Sequence, residues 1–113
     1  MRILVLSDIH ANLEALEACL AVAPAHDRVF NLGDIVGYGA SPNEVVSRSQ
    51  QLGNIFVRGN HDKACAGLIS LEGFNPIAGL AVIWTQQQLT PENLELLRGL
   101  PSGPISPLDG VTC

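Results

Sequence analysis

Read as apolar and polar positions, the first half of the chain repeats one phrase three times. A short apolar run, Ile3 to Leu6, stops abruptly at Ser7-Asp8-Ile9-His10. Unbroken runs of this length suit strands buried on both faces, as in the parallel sheets of α/β proteins. Leu13, Leu16 and Leu20 then recur at helical spacing with Glu14 and Glu17 between them. That spacing predicts an amphipathic helix, capped by Asn12 and ending near Pro24. A second run, Arg28 to Leu32, leads into Gly33-Asp34. Ser41-Pro42-Asn43-Glu44 follows with an N-cap residue, a proline at the first helical position and a glutamate at the third. This predicts a capping box and a helix through about Leu52, with Gly53 as the stop. Asn54 to Arg58 is the third predicted strand, and it runs into Gly59-Asn60-His61-Asp62.

After this the rhythm becomes helix upon helix. Asn75-Pro76 starts one, with Ile77, Leu80, Ala81 and Trp84 along one face, and Thr90-Pro91 starts another, with Leu89 and Leu94 at the positions of a hydrophobic staple. Pro101 to Cys113 carries three prolines and two glycines and predicts no regular element. Asp8, Asp34 and Asn60 fall 26 residues apart, each just past a predicted strand. The interval is close to one strand-plus-helix unit, slightly under the roughly 30 residues of a full βαβ motif.

Composition narrows the classes. A chain of 113 residues with 47% apolar and 15% charged residues is core-forming and fits one domain, or part of one. The formal charge of −5 argues against an extended nucleic-acid footprint, although not against a small phosphorylated substrate held by metal. Cys19, Cys65 and Cys113 form no CxxC pattern, which points to a reducing cytoplasm rather than a disulfide framework. No apolar run is long enough to span a membrane and no signal-peptide pattern is present, so a soluble, unprocessed cytoplasmic protein is expected.

Right-handed crossovers bring the C-terminal ends of parallel strands to one edge of the sheet, where ligands bind. The three polar motifs should therefore converge there. Asp8 and Asp34 in one desolvated cleft would repel each other and raise a carboxyl pKa unless a cation lay between them. Oxygen and nitrogen donors without thiolates suit manganese, iron, zinc or magnesium. Taken singly, Asp8 or Asp34 could be a helix cap, and His10 an ordinary hydrogen-bonded histidine. Tyr38 reads as packing, Arg58 as a solvated strand-end charge, His26 as solvent-exposed and Cys65 as a small apolar residue.

In order and spacing, Ser7-Asp8-Ile9-His10, Gly33-Asp34 with Gly37-Tyr38-Gly39, and Gly59-Asn60-His61-Asp62 resemble the D-x-H, G-D and G-N-H-D signatures of the calcineurin-like metallophosphoesterases. The likeness to the small prokaryotic phosphodiesterase-type members extends to residue 101. It implies an α/β fold, the N-terminal half of a four-layer α-β-β-α sandwich with a parallel βαβαβ core followed by helices. It also implies a binuclear metal centre, with Asp8 and His10 on the first ion, Asp34 bridging both and Asn60 on the second. His61 would assist the departing oxygen and Asp62 would orient His61. The cofactors implied are two divalent ions, manganese first and iron, zinc, nickel or magnesium as alternatives.

The family completes its site with histidines in an H-G loop and a G-H-x-H motif, and this chain has no histidine after His61. Residues 1–113 are accordingly expected to form a single, incomplete metallophosphoesterase domain that binds at most one ion weakly. An uncovered sheet face would favour self-association. The function expected is metal-dependent phosphoester hydrolysis, weak or absent in this chain. The alternative is a catalytically silent metal- or partner-binding α/β domain. A nucleotide-binding domain ranks last, because no GxGxxG or GxxxxGK[ST] occurs.

Overall fold

The computed structural model describes residues 1–53 and 55–113. Among the described residues eight elements are present, the seven predicted and one short helix, α3, that was not: β1 (Ile3–Leu6), α1 (Leu13–Val22), β2 (Arg28–Asn31), α2 (Pro42–Leu52), β3 (Ile55–Phe56), α3 (Asn60–Cys65), α4 (Pro76–Gln88) and α5 (Pro91–Gly99). The strands form one parallel sheet in the order β1-β2-β3. Leu6, Asn31 and Phe56 lie in register across it. Two crossovers stepping in the same direction place α1 and α2 on the same face, since such connections are right-handed.

The third strand is shorter than predicted. It ends at Phe56, although the Val57 N–H still reaches the Asn31 carbonyl at 2.9 Å. Asn54, the predicted first residue of that strand, lies outside the described residues. Arg58 N–H turns instead to the Pro101 carbonyl, so the ladder to β2 stops where the chain bends into the Gly59 loop. There Gly59 becomes the N-cap of α3.

Side-chain capping starts three helices. Asn12 accepts from Ala15 N–H, Asn75 from Ala78 N–H and Thr90 from Asn93 N–H. Each bond satisfies one of the N–H groups that a first turn leaves without an intrahelical partner. The predicted capping box at Ser41 does not form, and Ser41 makes no side-chain cap bond. Its ψ of 58° differs from the 160° and 156° of Asn75 and Thr90. Pro42 at the first helical position sets the start of α2. Asn43 acts further afield: its amide donates to the Gln88 carbonyl and accepts from Thr90 N–H, tying α2 to the turn between α4 and α5.

One core lies between the sheet and the helices. It contains Leu16 of α1, Val45 and Val46 of α2, Ala64 and Cys65 of α3, Val82 of α4, Leu97 of α5, and Ile35 and Val36 from the loop after β2. Leu6 and Phe56 pack against it from the strands, and Leu89 and Leu94 join it across the start of α5. On the opposite face, strand alternation and register put Val5 beside Phe30. That face is less open than expected. Val5 is 54% exposed, but Phe30 is buried at 2%, with the Arg28 guanidinium 5.6 Å from its ring centre.

The larger exposed apolar surface is on α4, where Ile77, Leu80, Ile83 and Trp84 face out while Ala78, Val82 and Thr85 face the core. Of the predicted face Ile77, Leu80, Ala81 and Trp84, Ala81 is half-buried and the other three are exposed, so the stripe lies on the outer side. Pro101 to Cys113 holds more order than predicted, with a Leu108–Val111 bridge and paired backbone bonds between Ile105 and Cys113.

Candidate metal centre

Beyond β1 and β2 the two loops stay joined. Asp8 N–H donates to the Gly33 carbonyl at 3.0 Å, His10 N–H to the Asp34 carbonyl at 2.9 Å and Ala11 N–H to the Ile35 carbonyl at 2.8 Å. This zippering goes with an unusual backbone. The non-glycine residues with positive φ among the described residues are Asp8, His10, Ala11, Asp34 and Tyr38, at 49–64°. The left-handed region costs an L-residue roughly 1–2 kcal/mol, and such residues cluster where function holds them. Here all five sit in the loops after β1 and β2, which carry the predicted ligands Asp8, His10 and Asp34.

Asp8, His10 and Asp34 are brought together: one donor atom from each lies within 4.8 Å of the others. The His10 ring is oriented on both sides. Its Nδ1 is 3.2 Å from the Val36 carbonyl, and its Nε2 is 3.6 Å from Asp8 Oδ1. A carbonyl can only accept, so Nδ1 donates to Val36 and Nε2 is the ring nitrogen that faces the donor cluster, a common arrangement for ligating histidines. Two ligands of one ion with bonds near 2.1 Å stand at most about 4.2 Å apart. A spread of 4.8 Å therefore closes with small side-chain movements. The donors, two carboxylates and an imidazole nitrogen, fit a hard or borderline divalent ion.

The predicted rise in carboxyl pKa does not occur at Asp8. Its side chain is 63% exposed, and the Ser7 hydroxyl donates to it at 2.7 Å. That bond is the main cause of a pKa held below the ordinary aspartate value. Asp34 is more enclosed and accepts at Oδ1 from His61 N–H, 3.0 Å away. A Cβ on Gly59 would collide with that same oxygen, so only glycine lets the third loop approach so closely.

The third loop brings His61 and Asp62 in by different routes. The His61 ring is 9% exposed and packs against three others, with centres 4.8 Å from His10, 5.0 Å from Tyr38 and 5.1 Å from Phe74. Burial pushes its pKa down and favours the neutral imidazole. Its Nδ1 is buried with no hydrogen-bond partner. Asp62 is fully buried, and its carboxylate meets backbone rather than imidazole. Oδ1 accepts from Ile35 N–H at 2.8 Å and Val36 N–H at 3.1 Å, and Oδ2 from Gly59 N–H at 3.0 Å. Asp62 thus clamps the third loop to the second. Burial, the largest influence, raises its pKa to about 6. Asn60 stands exposed at the first position of α3, next to His61.

Arg58 differs from its predicted solvated state: it donates through Nη1 to the Arg98 carbonyl at 2.7 Å, at the C-terminal end of α5. Cys65 is a buried apolar residue whose thiol pKa is pushed up to about 12 by burial. His26 is exposed, with Nδ1 2.9 Å from the Pro24 carbonyl. Sequence reasoning did not identify the Ser7 hydroxyl, the Val36 carbonyl or the ring contacts of Tyr38 and Phe74. The only signal for any of them was the aromatic residue between the glycines of Gly37-Tyr38-Gly39.

Comparison with known proteins agrees with this geometry. The family model for calcineurin-like phosphoesterases matches residues 1–111. An uncharacterized protein, MJ0912 of Methanocaldococcus jannaschii, is 46% identical over 101 residues, which cover 88% of this chain and 42% of that protein. A metallophosphoesterase of Sphaerobacter thermophilus superposes with a TM-score of 0.76 at 54% identity, covering 89% of this chain and 42% of that one. A structure provisionally assigned as a diadenosine tetraphosphatase gives a TM-score of 0.63 at 26% identity, covering 88% and 43%. The chain thus spans less than half the length of each of these three proteins, and its α/β fold matches the N-terminal part of a metallophosphoesterase. With a family match over nearly its whole length and the strained loops described above, this chain belongs to the calcineurin-like phosphoesterase family.

Proposed function

We propose that residues 1–113 form one unit of a metal-dependent phosphoesterase, the unit that holds divalent ions through Asp8, His10, Asp34 and Asn60. The observation that carries this reading is the donor set of Asp8, His10 and Asp34 within 4.8 Å at the edge of a parallel sheet. In it, Asp8 and His10 serve one ion, Asp34 bridges to a second, and Asn60 serves the second. Four side chains are too few for two complete ligand sets. We therefore assign the remaining ligands to residues outside 1–113, and expect this chain alone to hold at most one ion weakly. Manganese is the first choice, with iron, zinc, nickel and magnesium as alternatives.

Divalent ions bound in such a centre polarise phosphoryl oxygens and activate water. The chain's own residues do the positioning. Val36 orients His10, Ser7 keeps Asp8 ionised, and Asp62 holds the Asp34 and His61 loops together. His61, buried and neutral, is the residue assigned to the departing ester oxygen, to which its ring N–H would donate. The substrate is a small phosphorylated molecule, a class supported by the family match and by the neighbour provisionally assigned as a diadenosine tetraphosphatase. No helix among the described residues is long and apolar enough to cross a membrane. The three free cysteines support placement in the cytoplasm. Self-association through the sheet face on which Val5 is exposed belongs to this reading and is tested by light scattering. A clean monomer at high concentration removes it.

Manganese calorimetry, together with nitrophenol release from a nitrophenyl phosphodiester, tests the whole reading. The wild-type chain should bind at most one ion weakly, and Asp34→Asn should abolish binding. Two tight sites would contradict the donor count, and binding unaffected by Asp34→Asn would end the reading of this donor set as the site. The small donor set favours one rival, a catalytically silent metal- or partner-binding domain. Asp34-dependent binding without any nitrophenol release would select it.

A further inference from the structure

Asp62 spends its carboxylate on backbone N–H groups, so the His61 ring is held by something else. Its surroundings are rings and bare backbone. Phe74 meets it with planes at 87°, His10 at 78° and Tyr38 at 40°. Phe74 is itself fixed: its N–H donates to the Leu71 carbonyl at 3.0 Å, and the next residue, Asn75, caps α4. The side of the imidazole that carries Nδ1 lies against Gly37. A Cβ there would stand 2.6 Å from Nδ1 and 3.1 Å from Cγ, and glycine directs a hydrogen along that line instead. Nδ1 is closed to water and has no hydrogen-bond partner among the described residues.

These contacts separate the two neutral forms of the ring. With the proton on Nδ1, a buried N–H would lack an acceptor and point toward the Gly37 C–H. With the proton on Nε2, Nδ1 turns a lone pair to that hydrogen, a weak but favourable contact. Leaving a buried donor unsatisfied is costly enough to separate the two forms by about tenfold in population. Nδ1 is already enclosed by residues within 1–113, so another segment of protein could reach it only by displacing them.

We propose that an acceptor-free slot formed by Gly37, Tyr38 and Phe74 orients His61 and keeps the proton of its neutral ring on Nε2, with Phe74 as a positioning residue. The inference deepens the phosphoesterase reading and rests on it for the use made of that proton. Nε2, the ring nitrogen not shut against Gly37, then stands ready as a hydrogen-bond donor to the departing ester oxygen, and no carboxylate is needed to orient the ring.

The chain has three histidines, so their ring signals are few enough to assign with His61→Gln and His26→Gln. Long-range 1H–15N correlations are recorded on the 15N-labelled, metal-free 113-residue protein near pH 8, above the ordinary histidine pKa. His61 should show a protonated Nε2 and an unprotonated Nδ1. Phe74→Leu and, more strongly, Phe74→Ala should move this toward the averaged pattern of a ring exchanging both forms, and Phe74→Tyr should preserve it. A wild-type His61 with its proton on Nδ1, or already averaged, overturns the proposal, and that spectrum decides the point whatever the variants do. An unchanged pattern in a folded Phe74→Leu or Phe74→Ala overturns the role of Phe74. Metal binding indifferent to Asp34→Asn, with the expected His61 spectrum, would remove the phosphoesterase reading and leave the slot and its tautomer established.

Discussion

Replacing Asp62 tests whether the site is held together by acceptor geometry or by charge. The carboxylate accepts three backbone N–H bonds in a fully buried setting. Bonds to charged groups contribute roughly 1.5–3 kcal/mol each, so Asp62→Ala forfeits roughly 4.5–9 kcal/mol. Against this stands the cost of keeping the group ionised. With its pKa raised from 3.8 to about 6, the folded state at pH 7 carries a penalty of about 3 kcal/mol that the variant escapes. The net expected loss for Asp62→Ala is roughly 4 kcal/mol, large for a single substitution.

Asp62→Asn keeps an oxygen for Ile35 and Val36 and turns its amide toward the Gly59 N–H. It loses one bond and sheds the same penalty, which predicts a stability within about 1 kcal/mol of wild type. Urea unfolding at pH 7 measures both. The sign of the pH dependence follows from the raised pKa. The stabilisation linked to Asp62 is fully present below 3.8 and is lost as pH rises through about 6. The gap between wild type and Asp62→Asn should therefore shift in favour of wild type as pH falls across that interval. If Asp62→Asn proved as damaging as Asp62→Ala, the charge would be the clamp and this reasoning would fail.

Thiol labelling should find Cys19 reactive in the native chain and Cys65 reactive only after unfolding, since Cys19 is exposed and Cys65 is fully buried. Because the Cys65 thiol titrates near 12 when folded and near 9 when unfolded, its contribution to stability should fall by on the order of 1 kcal/mol between about pH 9 and pH 10. Fast native labelling of Cys65 would refute its placement. On α4, Leu80→Lys should change stability by less than about 0.5 kcal/mol, whereas Val82→Ala should cost about 2 kcal/mol; equal effects in chemical denaturation would mean the helix faces are misassigned. Gly59→Ala should weaken divalent-ion binding by crowding Asp34 Oδ1, and calorimetry with unchanged affinity would show that this close approach is dispensable.

The chain sequence by itself determined the alternation of strands and helices, the parallel sheet and the sheet edge on which Asp8, His10 and Asp34 meet. Apolar run length, helical spacing and capping residues are local signals, and parallel connections leave one edge for the motifs to share. Only the tertiary structure decided what those motifs touch. That Asp62 holds backbone rather than His61, that Ser7 lowers the pKa of Asp8, and that Arg58 binds the end of α5 depend on groups far apart in the chain or on side-chain direction. The same holds for α4. An apolar stripe marks a face, but whether Ile77 and Leu80 or Ala78 and Val82 turn inward is settled by which face the rest of the core has room to cover. Burial and long-range hydrogen bonding are properties of the assembled chain, and no spacing along it encodes them.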